Sequence, residues 1–255
     1  MEQSRVSRVT AEMRAAGLSQ ILITATTSVY YLTGFWVAHH ERLLALYLDA
    51  GGKAVLYGNE IFGLPSTPEL PVVTHRDGED PVAALAGALR PGSLGVDKFW
   101  YSKFLIGLME HRPDVRPVHG SGPVDLCRKQ KDEAERAATR HSSAMNDQVV
   151  AAAIGAVRTG VRENELAALV NREFLARGAD CEGTQLVCFG ANGADPHHSG
   201  GSTVLQPGDS VIFDLFTPIS RYWCDMTRTV FYQTVSDKQR EVYEQIGRAS
   251  CRERV

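Results

Sequence analysis

Residues 210–232 read SVIFDLFTPISRYWCDMTRTVFY. Two runs rich in β-branched and aromatic residues, 210–216 and 222–232, flank a proline-bearing stretch at 217–221, which predicts two paired strands and a loop. Strand side chains alternate faces, so Ile212, Asp214 and Phe216 share one side, and Trp223, Asp225, Thr227 and Thr229 share one side of the partner. If the register agrees, both carboxylates point into one space. Asp214 interrupts a run that otherwise reads as continuously apolar, and an unpartnered buried polar group costs roughly 2 to 7 kcal/mol. A cation, a donor network or protonation can each answer that cost. Two adjacent carboxylates repel and raise one pKa unless something positive lies between them. Carboxylate oxygens suit Mg, Ca or Mn, and added imidazole shifts the preference toward Mn, Co, Fe or Zn. The structural alternative is an Asp paired with Arg221 or Arg228.

Working upstream, the loop GANGADPHHSGG at residues 190–201 holds His197 and His198 among glycines and a proline. Loops carried on a rigid sheet are where function concentrates, and a histidine there can bond a substrate carbonyl or support a developing oxyanion. An isolated loop histidine is otherwise simply solvated; the company of Asp214 and Asp225 is what singles these out. Before the loop, alanines and charges at helical spacing predict helices over residues 131–157 and 163–177, the second closed by Gly178, then a strand at 184–189. Helices followed by an antiparallel sheet give an α+β domain. Ser236 with Gln239 forms a capping box for a further helix beginning at Asp237.

The first half has a different texture. An amphipathic helix at residues 7–16 precedes a short strand at 21–24, and strands at 43–49 and 54–58 flank Gly51-Gly52, a hairpin signal. Strands at 72–75 and 93–96 alternate with helices at 81–89 and 102–111, which makes a small α/β domain. Residues 113–123 carry three prolines and two glycines with little periodicity, so a boundary near Leu126 is expected. The chain's 255 residues, 44% apolar and 22% charged, suit two folded domains, and a net charge of −3 gives no reason to expect nucleic acid or anionic membrane as partner. No apolar run approaches the roughly 20 residues a membrane span needs, and the cytoplasm is the expected location. Cys127, Cys181, Cys188, Cys224 and Cys251 show no C-x-x-C spacing and read as reduced thiols.

The succession GANGADPHH, PGDSVIFD and YWCDMTRTVF resembles the pita-bread metallopeptidase family, which includes Xaa-Pro aminopeptidases, Xaa-Pro dipeptidases, methionine aminopeptidases and creatinases. TSVYYLTGF at residues 27–35 and RKQKDEAE at 128–135 resemble the N-terminal domain and domain junction of its creatinase and prolidase branch. The resemblance implies a creatinase/prolidase N-terminal-like α/β domain over residues 1–126 and the first half of an α+β pita-bread catalytic domain over 127–245. It further implies Asp214 as ligand to one metal, Asp225 as the ligand bridging two, His197 as the catalytic substrate-side histidine and His198 as a substrate contact. Two divalent ions, manganese foremost with cobalt, zinc or iron as alternatives, a peptide or dipeptide substrate, and a homodimeric parent complete that picture. Phe216 and Arg221 depart from it, each standing where a glycine is common.

The family's other ligands, one His and two Glu, belong downstream of the second Asp. Residues 246–255, IGRASCRERV, break the apolar periodicity at Gly247 and back-translate to a common sequencing-adapter run, so they are expected to be a non-native tail. The intact parent is thus expected to be a two-metal peptidase of Xaa-Pro type, with this chain itself inactive. A non-catalytic binding protein on the same scaffold and a creatinase-like hydrolase of a non-peptide C–N bond are the competing readings.

Overall fold

The computed structural model describes residues 1–183 and 185–252. Thr184, expected to open a strand, lies outside the described residues. The chain divides into two compact units, Met1–Lys131 and Asp132–Val255.

The first unit runs α1 (Gln3–Ala15), β1 (Gln20–Ile23), α2 (Thr26–Thr33), β2 (Leu44–Asp49), β3 (Ala54–Asn59), β4 (Val72–His75), α3 (Ala83–Ala88), β5 (Gly92–Val96), α4 (Ser102–His111), β6 (Val115–His119) and α5 (Gly122–Lys129). Its six strands form one mixed sheet in the order β4-β3-β2-β1-β5-β6. Alternation divides the core in two. Ile21 and Ile23 pack with Val6, Met13, Leu32 and Cys127 on one face, while Leu22 packs with Leu85, Leu94 and Leu108 on the other. Helices on both faces explain why β1 is buried throughout. The expected β2–β3 hairpin is present, with Gly52 at φ 94° and the Asp49 carboxylate accepting from the Gly51 and Lys53 amides at 2.9 and 3.0 Å.

Residues 113–123, whose prolines and glycines show little periodicity, contain β6 and the start of α5. Pro117 is tolerated because β6 is the sheet's edge, and Pro123 sits in the first turn of α5, where a missing N–H has no helical acceptor to lose. α5 spans the expected boundary near Leu126 and buries Val124 and Cys127 in the core that α1 covers. α2 carries TTSVYYLT, a β-branched-rich segment that propensity alone would not assign to a helix.

The second unit runs α6 (Glu133–Gly155), α7 (Glu163–Ala176), β7 (Gln185–Phe189), β8 (Ser210–Ile219), β9 (Tyr222–Phe231) and α8 (Asp237–Arg252). A capping box starts α6: the Glu135 amide donates to Asp132 Oδ1 and the Asp132 amide to Glu135 Oε2, each at 2.9 Å. β7, β8 and β9 form an antiparallel sheet in that order. Val187, Phe189, Val211, Phe213 and Leu215 turn one face of it onto Val149 and Ala153 of α6 and Leu166, Val170 and Phe174 of α7.

β8 runs three residues beyond its expected end, and the predicted five-residue loop contracts to a two-residue turn. Ser220 and Arg221 take φ values of 53° and 66°, and Ile219 pairs with Tyr222 to close it. A type I′ hairpin demands positive φ at both positions, which Asn-Gly would announce and Ser-Arg does not. The strain gives a reason for a glycine to be common at the position of Arg221; here the Arg221 amide is fixed by the Asp180 carboxylate at 2.6 Å. The capping box predicted at α8 forms, with the Ser236 amide donating to Gln239 Oε1 at 2.8 Å. α8 passes through Gly247, where a break was expected, and residues 253–255 of the expected tail lie outside the described residues.

Candidate metal centre

Two strands decide the site. β8 and β9 pair Ile212 with Thr229, Asp214 with Thr227, Phe216 with Asp225 and Pro218 with Trp223. Directly opposed residues share a face, so the register puts Asp214 and Asp225 on one side of the sheet as diagonal neighbours. The pairing of β7 adds Leu186 beside Asp214 and Cys188 beside Ile212 on that side. The helices cover the other side. Val211, Phe213 and Leu215 are fully buried there, whereas Asp214 is half-buried and Asp225 exposed. The run VIFDLF is therefore apolar for two different reasons, and the expectation of a buried Asp214 is corrected: alternation lifts it out of the core.

The Asp225 pKa is raised, first by loss of water around the carboxyl and then by the neighbouring Asp214 carboxylate. Asp214 Oδ1 accepts from Thr227 Oγ1 at 2.6 Å. The arginines weighed as structural partners lie elsewhere: Arg221 approaches Asp180 at 3.9 Å, and Arg228 Nη1 donates to the Thr227 carbonyl at 2.9 Å. Two oxygen ligands whose mutual repulsion disfavours full ionisation suit a divalent cation, so the pair fits the metal the resemblance implies. Among the described residues, no group of three or more His, Cys, Asp or Glu side chains converges as a complete metal site would require.

The histidine loop joins this face through its glycine. Gly190–Ala194 forms a 3-10 turn, and a Cβ on Gly193 would stand 2.7 Å from Ile212 Cδ1, so glycine brings the backbone down onto the open face without displacing that methyl. The Cys188 thiol beneath is pushed up to about 11, by burial first and then by the charges of Glu163, Asp195 and Asp214 around it. The His197 amide donates to Asp195 Oδ1 at 2.9 Å, and its ring is exposed. His198 is turned inward, its Nε2 2.9 Å from Glu163 Oε2.

Glu163 was not singled out from sequence. It is fully buried at the start of α7, and accepts from the Phe189 amide (2.8 Å), Asn192 Nδ2 (2.9 Å), the Gly201 amide (3.0 Å) and His198. Burial alone would raise its pKa; the bonds from Asn192, His198, Gly201 and Phe189 outweigh that and hold it below the usual value. A signal existed: Glu163 falls in phase with Leu166, Val170 and Phe174, the buried stripe of α7, where a charge demands an explanation.

Residues 5–130 match the model of the creatinase/prolidase N-terminal domain, and residues 137–250 that of metallopeptidase family M24. The Bacillus subtilis (strain 168) protein YkvY is 27% identical over 267 residues, an alignment covering 96% of this chain and 70% of the relative. A prolidase from Thermococcus sibiricus superposes with a TM-score of 0.88 at 26% identity, over 98% of this chain and 70% of that one. A dipeptidase from Pyrococcus horikoshii OT3 gives 0.84 at 25% identity, over 94% and 68%. The described helices include none long and apolar enough to cross a membrane. A creatinase/prolidase N-terminal domain followed by part of an M24 domain, on a fold shared with a prolidase and a dipeptidase, makes this chain a member of metallopeptidase family M24.

Proposed function

We propose that the chain supplies the two-aspartate side of a dinuclear centre in an aminopeptidase or dipeptidase of Xaa-Pro type. The observation that carries this reading is the diagonal placement of Asp214 and Asp225 on the face of the sheet opposite α6 and α7. Divalent ions, manganese foremost, would polarise the scissile carbonyl and provide a nucleophile at neutral pH when bound. Asp214 would hold one ion, its Oδ1 oriented by Thr227, and Asp225 would bridge both. His197, exposed on the loop above Ile212, would donate to the oxygen that gains negative charge. His198 has Nε2 engaged by Glu163, so a substrate contact from it falls to Nδ1. The intact parent is read, on the strength of the resemblance, as a homodimer acting on peptides or dipeptides, and the cytoplasm is its proposed location.

Two aspartates of a five-ligand set make an open, weak site, since affinity follows ligand number and geometry. The 255-residue chain, assayed with manganese and an Xaa-Pro dipeptide, should show no hydrolysis above a metal-only blank. Robust, metal-dependent turnover would mean that the centre is completed by other residues of this chain, and would sink the half-site reading.

A further inference from the structure

We propose that Glu163 is a positioning residue: one buried carboxylate that latches both ends and the middle of the 189–201 segment and so presents His197 over the Asp214 face. The assignment of a role to His197 rests on the proposed function; the latch itself does not.

The geometry is specific. Oε1 takes the Phe189 amide and Asn192 Nδ2, which lie where β7 leaves the sheet and in the 3-10 turn that follows. Oε2 takes His198 Nε2 and the Gly201 amide, which lie where the segment returns to α7. The segment is otherwise held lightly. Asn192 Nδ2 reaches Thr203 Oγ1 at 3.0 Å, Asn164 donates its amide to the Gly201 carbonyl at 3.0 Å, and Asp195 makes a local turn with the His197 amide. Among the described residues, Glu163 alone ties residue 189 to residue 201 through one side chain. By drawing His198 inward it leaves the neighbouring His197 on the exposed side.

A carboxylate is required rather than any polar group. Each of its oxygens accepts two bonds, whereas glutamine has one accepting oxygen and a nitrogen that would face two donors. Glu163→Gln must therefore leave at least one backbone amide, that of Phe189 or that of Gly201, facing a nitrogen, and it forces Asn192 or His198 to reorient as an acceptor.

The test uses the 255-residue chain and neither metal nor peptide. In Glu163→Gln, amide hydrogen exchange should accelerate at least about tenfold across residues 189–201 and stay unchanged in α6, β8 and β9. The ring signals of His198 and His197 should move, with those of His75 and His111 in the first unit fixed as internal controls. Glu163→Asp, which keeps the charge one methylene short, should restore part of the protection. Should Glu163→Gln fail to fold, His198→Gln removes a single bond and should accelerate exchange over residues 195–201 alone. Acceleration spread evenly over the unit, an aspartate variant no better than the glutamine one, or unaltered exchange in His198→Gln would each overturn the proposal. An inactive chain leaves it standing, and its failure leaves the aspartate pair standing.

Discussion

The two faces of β8 follow opposite rules within one decapeptide. Val211, Phe213 and Leu215 are fully buried against α6 and α7, whereas Ile212, Asp214 and Phe216 are half-buried beside the exposed Trp223, Asp225 and Thr227. The first set contributes to the core of the unit. The second carries two carboxylates as diagonal neighbours and no core, an arrangement whose like charges work against folding unless a cation answers them. A sheet covered on one side keeps stability and chemistry on separate faces, so residues two apart in sequence can be altered with effects that do not resemble each other.

That separation can be broken most directly by truncating one aromatic on each face. Phe213→Ala should cost about 3–5 kcal/mol in urea unfolding, and Phe216→Ala, tilted against the half-exposed Trp223 at a ring separation of 6.3 Å, under about 1.5 kcal/mol. Equal costs would mean that the open face is as much core as the covered one. A smaller effect of opposite sign is expected at the carboxylates. Asp225→Asn removes a like-charge contact and should stabilise the metal-free chain at pH 7 by up to about 0.5 kcal/mol. Because the folded pKa of Asp225 lies above its unfolded value, the native state holds the extra proton between the two. Its contribution is fully present below the unfolded pKa and is lost as pH rises through the raised folded one. The advantage of the asparagine variant should thus grow as thermal melts move from pH 4 to pH 7; an advantage that shrinks with rising pH would contradict the paired carboxylates.

Much of this was legible in the sequence because β-alternation is a strict rule. Asp214, Asp225 and their shared face follow from counting residues, α6 and α7 follow from alanines and charges at helical spacing, and the α8 start follows from Ser236 with Gln239. The length of β8 was not legible, since Ser220 and Arg221 form a turn that their residue types do not favour. β6 was hidden by Pro117, which breaks a central strand but not an edge. Asp214 was misjudged as buried because a run in which both faces are apolar conceals which face is covered. Glu163 was missed for a deeper reason: acidic residues are ordinary in a helix's first turn, and only the fold reveals that its four donors come from a loop some 26 to 38 residues away.

The central claim, that the open face is one side of a metal centre, is tested most directly by titrating manganese into the 255-residue chain and its Asp214→Asn and Asp225→Asn variants, reading free ion by electron paramagnetic resonance. The account predicts weak, saturable binding to the unaltered chain and its loss in both variants. Binding that survives both substitutions would place the ion elsewhere and remove the assignment.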